Sequence, residues 1–377
     1  MGNERKVERL KKISLLIKPS SGACNQACSY CFYHALTDCR EQKDHGPMSL
    51  ETLEQVVIRA FETGAGCVQF VFQGGEPSLR GLDFFMEFER QVVKHNTKKA
   101  MVQRCFQTNG TLLDESWCMF FREHGYLVGI SLDGPRDIHD RFRKDNAGNG
   151  THHLVMQAIA MLEHHGVEVN VLCVVTGESA RQGKLIYGFF REQGILNIQF
   201  IHCLDKPGQL PGEEQWQLPW RRYHKFLKDV FDEWYRDWIR DDACFIRLFD
   251  NYLMLLQGME PEACGMLGCC SCQFVVESDG SVYPCDFYAL DEWKAGNVNK
   301  DSLMEMAESP AVMKFIGESL VENPKCLHCK WRSLCWNGCK RDREGNANRY
   351  CEATYNFLEY AGERLDYLAG MLSQTKG

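Results

Sequence analysis

Cys24, Cys28 and Cys31 fall within eight positions, directly after a short apolar run. Three thiolates so close in sequence can wrap around one metal centre. A [4Fe–4S] cluster can use three cysteines and leave one iron open to a non-protein ligand. A mononuclear zinc site needs a fourth protein ligand, such as His34. A second constellation is Cys264-x5-Cys270-x14-Cys285, followed by Cys326-x2-Cys329-x5-Cys335-x3-Cys339 and then Cys351. Eight thiolates suit either two zinc ribbons or two iron–sulfur clusters. Cys269 and Cys272 lie within reach of the place given to Cys270. Gly74-Gly75-Glu76-Pro77 closes a strand-like run, and glycine there lets the backbone approach a ligand closely. Asp286 directly follows Cys285, as a turn residue or as a positioned base beside a redox centre.

The bulk composition narrows the classes. The chain has 377 residues, 44% of them hydrophobic and 25% charged, which is the profile of a globular protein of about two to three domains. A formal charge of −8 argues against a nucleic-acid partner, whose binding surface would be basic. No apolar run approaches the roughly 18 residues that span a bilayer. Met1–Lys12 is highly charged and ISLLI is too short for a signal-peptide core, so a cytoplasmic location is expected. Twenty cysteines exceed what a reducing compartment sustains as disulfides, so their clustering points to metal or catalysis.

The elements that must position these residues alternate. Strands are expected over Ile13–Pro19, Val68–Gly75, Val102–Gly110, Leu127–Gly134, Val167–Thr176 and Asn197–Leu204. Helices are expected over Leu50–Glu62, Leu82–His95, Asp114–Glu123, His152–His165 and Arg181–Gln193. Ser49, Asp114 and Ser179 stand where N-caps belong, and Gly64, Gly125, Gly166 and Gly194 where helices stop. This is the βα pattern of a parallel sheet, as an incomplete (β/α) barrel or a doubly wound sheet, with the site at the C-terminal strand ends. Lys206–Pro219 reads as a loop, Trp220–Arg240 as an amphipathic helix, and Glu352–Leu372 as a closing helix. Between Cys264 and Cys351 the turn-rich chain calls for bound metal as a stabiliser. Cys67, Cys105, Cys118, Cys173 and Cys244 are expected as buried small hydrophobes.

CNQACSYCFY resembles the CxxxCxxC signature of radical S-adenosylmethionine (SAM) enzymes, and GGEP, one βα unit later, resembles the motif whose backbone holds the amino group of SAM. The C-terminal spacing is similar to that of the SPASM domain. Over nearly the whole chain, in CNQACSYCFYHAL, FVFQGGEPSLRGL, QTNGTLLDESW and CQFVVESDGSVYPCDFY, the sequence resembles the anaerobic sulfatase-maturating enzymes. The resemblance implies an α/β fold with a partial (β/α)6 radical SAM barrel over 1–235. A linker helix and a SPASM domain with a C-terminal helix would occupy 236–377.

It further implies three [4Fe–4S] clusters. Cys24, Cys28 and Cys31 would hold one, Cys264, Cys270, Cys285 and Cys339 the second, and Cys326, Cys329, Cys335 and Cys351 the third. SAM would contact Tyr30, Gly75, Ser131, Arg143 and Leu204, and Asp286 would be the general base. The implied reaction is oxygen-free oxidation of a cysteine or serine in a sulfatase polypeptide, within (C/S)-x-P-x-R, to Cα-formylglycine. A flavodoxin or ferredoxin would supply electrons; no nucleic acid or membrane is implied. Rival expectations are a SPASM maturase that crosslinks a ribosomal peptide, a zinc-ribbon binding module and a multi-cluster electron carrier. The maturase would call for a leader-binding domain, for which there is no room before Ile13.

Overall fold

The computed structural model describes residues 11–206, 209 and 212–374. The charged stretch before Lys11 and residues 207–208 and 210–211 of the expected loop lie outside the described residues. Six parallel strands form the centre: β1 (Lys12–Ile17), β2 (Cys67–Phe72), β3 (Met101–Thr108), β4 (Tyr126–Ser131), β5 (Glu168–Val175) and β6 (Asn197–His202). Each pairs with the next in register, Ile17 opposite Phe72, Phe72 opposite Phe106 and Ser131 opposite Leu172. Parallel neighbours require crossovers, and helices supply them.

Those helices are α1 (Phe32–Thr37), α2 (Leu50–Glu62), α3 (Leu82–His95), α4 (Glu115–His124), α5 (Arg136–Phe142), α6 (His152–His164) and α7 (Gly183–Glu192). Helix α2 shows why this sequence folds locally as it does. Ser49 Oγ accepts from Thr52 N at 3.1 Å, and Leu53, Val56, Val57 and Ala60 at helical spacing are all buried. Asp114 caps α4 in the same way. Ser179 does not cap α7. It lies in a 3₁₀ turn, Ser179–Gln182, and its hydroxyl accepts from Thr176 N at 2.8 Å. Gly64, Gly125, Gly166 and Gly194 all take positive φ at helix ends, a conformation glycine adopts without Cβ strain.

The core between sheet and helices is aromatic. Phe72 meets Phe85 and Phe88 edge-on at 5.1 and 4.9 Å, and Phe106 contacts Phe85 and Phe121 at 5.1 and 5.0 Å. Burying each such ring stabilises the fold by about 2 to 3 kcal/mol. Cys118, Cys173 and Cys244 are buried as expected, whereas Cys67 and Cys105 are only half-buried.

The last third of the chain completes the same sheet. Helix α8 (Trp220–Ile239) contains residue 235 and leads to β7 (Phe245–Ile246), which extends β6, and then to α9 (Arg247–Leu256). On the opposite edge β8 (Val275–Val276) pairs with β1, and β9 (Ser281–Tyr283) and β10 (Gly296–Asn297) follow. Both edges of the six-stranded run are therefore partly covered, at Leu16 and Ile17 of β1 and at Asn197 and Ile198 of β6, which shortens the unpaired edge. The closing helix spans Cys351–Gln374. Phe357 packs between Phe231 and Phe249 at 5.5 and 5.7 Å, and Arg364 pairs with Asp232 at 2.9 Å.

Candidate active site

The C-terminal ends of β1 to β6 converge on the loop that carries Cys24, Cys28 and Cys31. This loop is fixed from two sides. Ala23 O accepts from Glu76 N at 2.8 Å, while Ala27 N and Ser29 N donate to Lys144 O and Phe142 O at 2.8 and 3.1 Å. Gly75, at φ +49°, lies so close to the loop that a Cβ would sit 2.2 Å from Ala23 O. Only glycine fits there. Glu76 does not point outward: its buried carboxylate accepts from Ser78 Oγ, Thr108 Oγ1 and Asn109 N at 2.7, 2.7 and 2.8 Å. Burial raises its pKa and these bonds oppose the rise.

The three thiols are half-buried neighbours. Burial pushes Cys24 up to about 12, with Glu76, Cys28 and Cys31 adding to the rise. Burial likewise pushes Cys28 up to about 11, where the Arg143 charge opposes it. His34 is exposed one turn beyond Cys31.

Tyr30 and Arg143 share one buried anchor that the sequence reading missed, Asp133. The Tyr30 hydroxyl and Arg143 Nε both donate to Asp133 Oδ2, the latter at 3.0 Å, while Oδ1 accepts from Val174 N at 2.9 Å. Burial alone would lower the Arg143 pKa, but the adjacent carboxylate holds it well above the ordinary value. Ser131 ends β4 half-buried, and Leu204 follows β6 half-buried.

Asp286 comes from the far part of the chain, yet it stands against β1 and β2. Its Oδ1 lies 2.6 Å from Nζ of Lys18, and Gln73 Nε2 donates to its Oδ2 at 2.6 Å. Lys18 is fully buried and rests 3.6 Å from the centre of the Tyr33 ring. The Tyr33 hydroxyl donates to Glu277 Oε1 at 2.6 Å, and Arg40 pairs with the same oxygen at 2.9 Å. Lys18, Gln73, Tyr33, Arg40 and Glu277 were all missed at the sequence level. Single polar residues carry no spacing signal.

The eight other cysteines expected as cluster ligands separate into two neighbourhoods. Burial raises Cys270 and Cys339, the latter to about 12; Cys264 adds to both, and Cys270 adds to Cys339. Cys285 is raised by burial and then by Cys339 and Cys264. In the other group, burial pushes Cys335 up to about 11, with Cys351, Cys326 and Cys329 adding to it. Cys272 responds instead to burial, opposed by the Phe274 backbone, and Cys269 is exposed. Between Cys335 and Cys339 the chain reverses through Trp336, Asn337 and Gly338, all at positive φ. Asn337 O and Gly338 O accept from the Arg343 guanidinium at 3.3 and 3.1 Å. That turn sends Cys339 to the other neighbourhood.

Among the described residues, no three His, Cys, Asp or Glu side chains converge as around a single metal ion. The donor sets, three thiols and twice four, are all sulfur, and they fit iron–sulfur clusters.

The radical SAM superfamily matches residues 19–187, and the iron–sulfur cluster-binding SPASM domain matches residues 268–330. A cysteine-type anaerobic sulfatase-maturating enzyme of Clostridium perfringens is 44% identical, over 94% of this chain and 97% of that protein. A serine-type anaerobic sulfatase-maturating enzyme of Bacteroides thetaiotaomicron is 30% identical, over 95% and 91%. The solved structure of native anSMEcpe with bound AdoMet and Cp18Cys peptide superimposes with a TM-score of 0.92 at 42% identity, covering 96% of this chain and 99% of that one. With a six-stranded parallel run, an iron–sulfur cluster-binding domain closing its edge and likeness of this extent, the chain belongs to the anaerobic sulfatase-maturating enzymes of the radical SAM superfamily.

Proposed function

We propose that this protein oxidises a cysteine within C-x-P-x-R of a sulfatase polypeptide to Cα-formylglycine without oxygen. The observation that carries this reading is the place of Asp286. It stands beside Lys18 and Gln73 at the strand ends where the Cys24–Cys31 loop and Gly75 meet. The higher identity to a cysteine-type than to a serine-type relative supports cysteine as the target.

In this reading Cys24, Cys28 and Cys31 hold the SAM-binding cluster in the barrel of residues 1–235. The auxiliary clusters sit in residues 236–377, one on Cys264, Cys270, Cys285 and Cys339 and one on Cys326, Cys329, Cys335 and Cys351. When bound, the reduced cluster and SAM would supply radical chemistry for hydrogen abstraction at the substrate Cβ, and the auxiliary clusters would supply an acceptor for the second electron.

The side chains do the rest. Gly75 would offer its backbone to SAM, and Tyr30 and Arg143, both held by Asp133, would contact it. Ser131, at the end of β4, and Leu204, just after β6, would complete the contacts. Asp286 is ion-paired with Lys18 through Oδ1 and accepts from Gln73 Nε2 through Oδ2. It takes the thiol proton of the substrate, and the thioaldehyde then hydrolyses. A flavodoxin or ferredoxin in the cytoplasm supplies reducing electrons. No helix of the described residues is long and apolar enough to cross a membrane.

The test is anaerobic incubation with SAM, reductant and a C-x-P-x-R peptide, read by mass spectrometry. Exchange of sulfur and two hydrogens for one oxygen supports the reading. A crosslinked product, or turnover of the S-x-P-x-R peptide in preference, overturns it.

A further inference from the structure

The segment after β6 carries Leu204, and the residues on either side of it are gripped by one short stretch of the C-terminal third. The β5–β6 ladder ends with Cys203 N donating to Val175 O at 2.9 Å. Before Leu204, His202 Nε2 lies 2.9 and 3.0 Å from the two carboxylate oxygens of Asp342. After it, the Asp205 carboxylate pairs with Arg349, and the Asp205 carbonyl accepts from Arg341 Nη2 at 2.8 Å. Asp205 and Asp342 are both buried.

The two grips form one unit. Arg349 N donates to Asp342 O at 2.9 Å, and the Tyr350 ring packs against His202 and Tyr223 at 4.9 and 5.1 Å. This stretch, 341–350, begins two residues after Cys339 and ends directly before Cys351. Cysteines of the two auxiliary neighbourhoods thus bracket the clamp on β6.

We propose that Asp205, Asp342 and Arg349 are positioning residues for SAM: through them the auxiliary-cluster segment 341–350 holds Leu204 in place, so SAM affinity depends on that segment. The proposal rests on the assignment of Leu204 to the SAM site. None of the three touches SAM; they act by fixing the direction in which the chain leaves β6. Buried charge-assisted pairs suit this role because they fix orientation as well as distance.

The experiment measures SAM dissociation constants by anaerobic equilibrium dialysis on reconstituted full-length protein, with iron content determined on the same samples. Asp205→Asn and Arg349→Gln should each weaken SAM binding by about tenfold, or about 1.4 kcal/mol, with iron unchanged. The double variant should be little worse than either single one, since both remove the same pair. His202→Gln, on the less buried side of the clamp, should weaken SAM in the same direction if a buried-charge variant fails to fold. Leu204→Ala separates the two claims. If Leu204→Ala weakens SAM binding while the clamp variants bind it as tightly as wild type, the clamp proposal is overturned and the Leu204 assignment stands. If Leu204→Ala itself binds SAM normally, the underlying assignment fails and the proposal with it.

Discussion

Lys18, the residue after β1, places its Nζ 2.6 Å from Oδ1 of Asp286, the residue after Cys285. This contact joins the first strand of the barrel to the cysteine-rich third of the chain. It explains how a carboxylate so distant in sequence comes to lie at the mouth of the barrel. The β1–β8 pairing sets the distance, with Ile17 opposite Val276, and the Tyr33 ring holds the ammonium from the other side.

Breaking this pair from one side should be costly, because a charge is left without its partner in a buried setting. Lys18→Met is expected to destabilise the protein by about 3 to 5 kcal/mol. Lys18→Met combined with Asp286→Asn should recover part of that loss, since neither charge remains. Urea unfolding of both variants and the two-residue combination checks this; additive losses would contradict it.

Gly75→Ala tests the cradle around the cysteine loop. The new Cβ would meet Ala23 O at 2.2 Å and sit on a backbone at φ +49°, so the loop must move. SAM binding should fall by at least tenfold, on the order of 1.4 kcal/mol, while the auxiliary clusters keep about eight irons. Wild-type SAM affinity would show that the loop tolerates displacement.

Much of the barrel was legible in the residues. Periodicity and caps placed α2 and α3 at Leu50–Glu62 and Leu82–His95, as expected. The strands were expected about two residues too long at their C-terminal ends. Gln73, Gly74 and Gly75 leave the ladder to meet Asp286, Lys18 and the cysteine loop, and hydrophobicity does not register that departure. The closure by β8 to β10 was invisible because two- and three-residue strands have no period to read. Asp133 was missed although it lies within the expected strand Leu127–Gly134. Its role comes from Tyr30 and Arg143 converging on it, a relation that exists only in the fold.

His139 carries a pH signature. Its buried Nδ1 accepts from Asp133 N at 3.3 Å, its Nε2 pairs with Thr151 Oγ1 at 3.1 Å, and burial lowers its pKa to about 4. The unfolded chain protonates this ring near pH 6.5, before the folded one does. Stability should therefore fall as pH drops from about 6.5 towards 4, by about 2 kcal/mol at pH 5. His139→Gln removes this contribution, so its urea midpoint should approach that of wild type between pH 7 and pH 5. Parallel curves for the two proteins would contradict the assignment.

The cysteine sets predict an iron count. Reconstituted wild type should hold about twelve irons per chain, and the variant with Cys24, Cys28 and Cys31 all replaced by alanine about eight. That variant should not cleave SAM. Reductive SAM cleavage by it would place the catalytic cluster elsewhere.

The most direct measurement of the central claim uses Asp286→Asn, which keeps size and polarity but removes the carboxylate. Iron, 5′-deoxyadenosine and peptide aldehyde are quantified on one anaerobic preparation. The expected result is unchanged iron, deoxyadenosine in excess over aldehyde, and formylglycine formation slower by about 10² to 10⁴-fold, the usual range for a lost general base. Aldehyde formed at the wild-type rate would contradict the account.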